Sequence, residues 1–154
     1  MEPIEVTSYA VHSLFAGFWT GSVLFVSLGV LPLARDGNLN AAPLSTIAGT
    51  LTTVSRVSAA ALLLTGGHMA AVRYTGESLL GSQGGYLVVT MVLLWLALMG
   101  TVEVGTSRLT DGAERDKVRE PARRARRLFW AASLFAALLL INAGVLSAAN
   151  LGFL

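Results

Sequence analysis

The chain contains no cysteine, so neither a disulfide nor a thiolate ligand can form, and redox compartment cannot be read from cysteine usage. Histidine is almost as scarce, with only His12 and His68. Charge is sparse as well: Asp, Glu, Lys and Arg make up 13% of the 154 residues, against 54% hydrophobic, where a soluble domain carries about a quarter charged. The scarcity is uneven. Residues 6–34, 57–72, 78–102 and 128–154 hold no charged side chain at all. Phosphate loops, nucleophile–base arrangements and paired intramembrane carboxylates are also missing, which excludes a sequence case for a hydrolase or a kinase. Glu103 is the sole acidic residue near the interior of an apolar run, so a proton pump is not expected.

What is present is four long apolar runs. Crossing a hydrocarbon core of about 30 Å takes roughly 20 apolar residues, and each run reaches that length once the uncharged approach to Arg56 is added to the second. The expected fold is an all-α integral membrane protein, an antiparallel four-helix transmembrane bundle forming a single domain. Its spans are about 8–33, 51–74, 86–107 and 121–149, with loops at 34–50 and 108–120. Pro32 and Asp36-Gly37-Asn38 should end the first helix. The uncharged stretch 40–53 suits a short interfacial helix, and Pro121 suits the first turn of the last helix. The first run opens on Glu2 and Glu5 with no basic residue before it, so it reads as a retained helix and not a cleaved targeting segment.

Orientation follows from the basic residues. Of the 11 Lys and Arg, all but Arg73 fall in the two loops that share one side or beside them. Positive charge near span ends is retained in the cytoplasm. Those loops are therefore expected to be cytoplasmic, with both termini on the other side of the plasma membrane. The cluster Arg123, Arg124, Arg126 and Arg127 abuts an apolar span and suits anionic lipid headgroups. With a net charge of +2 and a pI near 9.5 distributed in this way, the partner is a membrane surface; no nucleic acid is expected. Small residues along the spans, among them Gly17, Gly66, Gly100 and Gly144, permit close helix approach, and a homo-oligomer is compatible with them.

Both histidines fall within spans, where ionisable groups are functional candidates by default. A lone one would be read as an interhelical hydrogen-bonding or headgroup-level residue. Here His12 sits one turn below one end of the first helix, and His68 two turns below the matching end of the second. On antiparallel neighbours at 1.5 Å per residue, the two come to similar depth and could share one ion or one haem iron. Trp19 lies seven residues from His12, on the same face, and Met91 reaches a similar depth on the third helix. Imidazole with thioether suits copper, and the histidine pair could ligate haem b in a bundle. Asn142 is expected to bond between helices, and Arg56 to meet Glu103 at the cytoplasmic side.

The run His12-Ser-Leu-Phe-Ala-Gly-Phe-Trp19-Thr-Gly21 reads His-x6-Trp-x-Gly. It resembles the opening helix of the copper-resistance protein D (CopD) family and of the related HemJ-type membrane proteins. Val54-Ser55-Arg56, the apolar run ending Leu64-Thr65-Gly66, and the basic stretch Arg123–Arg127 are similar to later parts of that pattern. The resemblance implies copper handling at the membrane or haem b binding, with His12 in the ligand position. The HemJ-type pattern has a His-x-Lys element near the start of its third helix, and residues 86–93 hold neither, so protoporphyrinogen oxidation is not implied.

The leading expectation is a copper-handling membrane protein using His12, His68 and Met91, served by a metal-donor protein. The alternatives are a haem b redox protein with His12 and His68 as axial ligands beside Trp19, served by an electron-transfer partner, and a non-catalytic membrane subunit.

Overall fold

The computed structural model describes residues 3–150; Glu2 and the end of the last apolar run lie outside them. Among the described residues there are helices and no strand. The first apolar run forms α1 (Pro3–Phe25), a wide π turn (Val26–Val30) and α2 (Leu31–Asp36), read as one continuous span. The π turn directly precedes Pro32, whose ring would meet the carbonyl of Leu28 in a regular α-helix and which has no N–H to donate. Gly37 ends α2 with φ +82°, a left-handed cap open to a residue without Cβ.

The second span, α3 (Ala41–Arg73), begins well before the expected residue 51. Residues 41–50 continue the transmembrane helix and do not form a separate interfacial one. Pro43 is tolerated because the first turn of a helix has no internal acceptor for its N–H. A short α4 (Gly76–Gly81) follows, capped reciprocally by Thr75 and Ser78. The third and fourth spans are α5 (Gln83–Ala113) and α6 (Arg119–Asn150). Mixed charges at 111–120 did not stop α5 short, and the loop between these helices shrinks to residues 114–118.

Among the described residues, four helices are long and apolar enough to cross a membrane. The molecule is a multi-pass, all-α four-helix bundle in contact with the lipid bilayer. Each span packs on its neighbours in sequence, and α6 closes the ring on α1.

Burial is uneven along the bundle axis. Core residues cluster toward the end that carries the basic loops: Trp19, Val23 and Val26 on the first span, Leu44 to Leu62 on α3, Leu98 to Leu109 on α5, and Ala122 to Ala136 on α6. Small side chains make this half tight. A Cβ on Gly105 would lie 3.0 Å from the ring of the buried Phe129. Polar residues cross-link the same half, where lipid offers no competing water. Trp19 Nε1 donates to Ser55 Oγ (2.9 Å), Thr52 Oγ1 to Thr106 Oγ1 (2.9 Å) and Ser27 Oγ to the Phe129 carbonyl (3.1 Å). Arg56 pairs with Glu103 at the edge. In the opposite half, the four helices stand apart and enclose a cavity.

Candidate functional site: a one-ended cup in the bundle

The cavity measures about 410 Å³ and is lined by all four spans. Its floor is Trp19, Leu62, Trp95 and Leu139, where the packed half begins. His12, Gly66 and Met91 stand partway up, and the rim carries Arg73, Tyr74, Ser147 and Asn150. From Trp19 to Tyr9 the first helix rises roughly 15 Å, which sets the depth. Asn142 Nδ2 donates to the Leu87 carbonyl (2.9 Å) and ties α6 to α5 beside the hollow.

His12 is held from the neighbouring helix α3. Its Nδ1 lies 2.8 Å from Thr65 Oγ1, and the same hydroxyl donates to the Ala61 carbonyl at 2.7 Å. A threonine hydroxyl has one proton and two lone pairs. With that proton committed within α3, the network assigns Thr65 as acceptor and places the imidazole proton on Nδ1. The lone pair is then on Nε2, which has no hydrogen-bond partner among the described residues. Gly66 lets the ring approach so closely: a Cβ there would stand 3.0 Å from His12 Cε1. A histidine fixed through one nitrogen and open at the other is how proteins present an imidazole to a metal.

Of the residues singled out from sequence, His12, Trp19 and Met91 share this cup. His68 does not line it. It borders a separate cavity of about 10 Å³, beside Glu5, Tyr9, Met69, Val72 and Arg73, with room for about one water. Its Nε2 is buried there without a partner among the described residues. The reason is helix rotation. At about 100° per residue, His68 is turned roughly 160° from Gly66, the position that touches His12. Equal depth did not bring the two rings to one face.

Four participants had no site role read from sequence: Thr65 and Gly66, seen only in the CopD-like pattern and, for Gly66, as permitting close helix approach; Trp95; and Arg73, noted only for its charge. Trp95 was legible in one respect, as a lone indole in the middle of a Leu- and Val-rich span. Its Nε1 is buried without a partner among the described residues. Arg73, the one basic residue of its side, stacks over Tyr9 with 5.0 Å from guanidinium carbon to ring centre.

Among the described residues, no group of three or more His, Cys, Asp or Glu side chains converges. A bare, hard or borderline ion such as Zn²⁺ therefore finds no closed set of ligands there. The cup offers instead one imidazole, two thioethers (Met69 and Met91) and an apolar aromatic wall. Comparison with protein families, with curated proteins and with solved structures gave no match.

Proposed function

We propose that this chain is a haem b-binding membrane protein in which His12 would hold the iron. The carrying observation is the tethered imidazole, open at Nε2, inside a cup of about 410 Å³. Cofactor sites are concave, mostly apolar and of several hundred Å³, whereas a single ion needs a tight cage of donors. A porphyrin brings its own ring of nitrogens, so one protein imidazole is enough to hold its iron. When bound, the group supplies one-electron redox chemistry. The chain's residues would bind and orient it: Thr65 sets the ring of His12, Gly66 leaves room for that ring, and Trp19 and Trp95 would wall the floor. The resemblance of His12-x6-Trp19-x-Gly21 to the CopD and HemJ-type pattern points to the same residue.

The expected result for detergent-purified protein titrated with haem b is a saturable Soret band that His12→Ala abolishes. Colourless protein that takes copper stoichiometrically, and loses it on His12→Ala, overturns the haem reading. Copper handling is the second reading, favoured by Met69 and Met91 standing on the same cavity as His12, since thioether and imidazole together suit Cu(I).

Orientation belongs to the same proposal. The basic end faces the cytoplasm, the cup opens outward, and both termini lie outside. Arg123, Arg126 and Arg127 are exposed while Arg124 pairs with Glu120, leaving the first three for anionic headgroups of the inner leaflet.

A further inference from the structure

The cup is graded in polarity along its depth. Trp19, Leu62, Trp95 and Leu139 make most of its floor, beside Thr20, while its one full charge among the described residues stands at the rim. Among the described lining residues, Arg73 is the only one that carries a full charge, and no carboxylate lines the same space. Arg73 forms no ion pair among the described residues; its guanidinium carbon stands 5.0 Å from the centre of the Tyr9 ring. A cation–π contact leaves most of the five N–H donors of a guanidinium open to bind. Glu5 borders the small neighbouring cavity with Arg73 but does not line the cup.

Depth adds a second constraint. Arg73 lies seven residues beyond Gly66, the position that touches His12, so its Cα is on the order of 10 Å closer to the rim along α3, and its guanidinium lies over Tyr9, three residues outward of His12 on α1.

We propose that Arg73 is a carboxylate anchor, so that the cup takes an amphipathic, carboxylate-bearing ligand apolar edge first and fixes its acid group at the rim. The proposal rests on the haem reading and adds to it the ligand's orientation and the part of the ligand that is recognised. A planar fork of donors matches a carboxylate with two parallel hydrogen bonds, and at the rim neither charge has to leave water completely.

The test compares haem b with its propionate dimethyl ester, both titrated into the full-length protein in detergent and followed at the Soret band. The wild type is expected to bind haem b about tenfold or more tightly than the ester. Arg73→Gln should weaken haem b to the level of the ester and leave ester affinity and the band position unchanged. Arg73→Lys should fall between, because it keeps charge and loses the fork. Equal affinities for acid and ester in the wild type, which need no variant to observe, overturn the anchor while leaving the haem site standing. If neither compound gives a Soret shift, the haem reading falls and the anchor falls with it.

Discussion

The Thr65 hydroxyl accepts the Nδ1 proton of His12 at 2.8 Å across the α1–α3 contact. This one bond decides which ring nitrogen faces the cup. Thr65→Val keeps the branched shape and removes the acceptor. Haem affinity should fall about 10- to 100-fold, as for other partners that orient a metal-ligating histidine, with the Soret band retained. A titration of the variant against wild type checks it; unchanged affinity would mean the ring is held by packing alone.

Gly66 is the second support of that ring. Gly66→Ala places a methyl group 3.0 Å from His12 Cε1, closer than carbon atoms pack at rest. The ring must turn or the helices part by tenths of an ångström. A shifted Soret position and weaker binding are expected for Ala, and loss of binding for Leu. Gly100→Ala is the control, since a Cβ at Gly100 meets nothing and Gly100 does not line the cup; it should be neutral.

His68→Ala should leave both the haem affinity and the spectrum as they are, because His68 borders the small cavity and not the cup. A bis-histidine site would lose its low-spin spectrum in the same variant, so one absorption trace separates the two arrangements.

In the packed half, Trp19 and Ser55 are both fully buried and bonded to each other at 2.9 Å. Ser55→Ala leaves the indole N–H without a partner. The expected cost is about 1 kcal/mol, between the modest interhelical bonds measured in membranes and the penalty of an orphaned buried donor. Thermal unfolding in detergent measures it, with the exposed Thr53→Ala as the variant that should not move.

The absence of native cysteine makes orientation directly testable. Glu77→Cys, on α4, should react with a membrane-impermeant maleimide added outside intact cells. Lys117→Cys, between α5 and α6, should react only after permeabilisation. The opposite pattern would invert the bundle and turn the cup toward the cytoplasm.

Some pairings were legible because antiparallel helices have predictable heights. Arg56 meets Glu103, and Asn142 bonds to α5. Helix ends were less so. The sequence contrast between charged and apolar residues marks where the hydrocarbon ends, but a helix continues into water wherever its hydrogen bonds remain satisfied. That is how α3 gains residues 41–50 and α5 residues 108–113.

The primary structure alone determined the number of spans, their antiparallel order, the segregation of positive charge and the presence of two histidines at matching depth. All of these depend on hydropathy or on rise along an axis, which are properties of a segment by itself. The tertiary structure decided rotation about each axis, which is set by how small residues such as Gly66 and Gly105 let neighbouring helices lock together. That rotation put His12 against Thr65 inside a cup and turned His68 away from it.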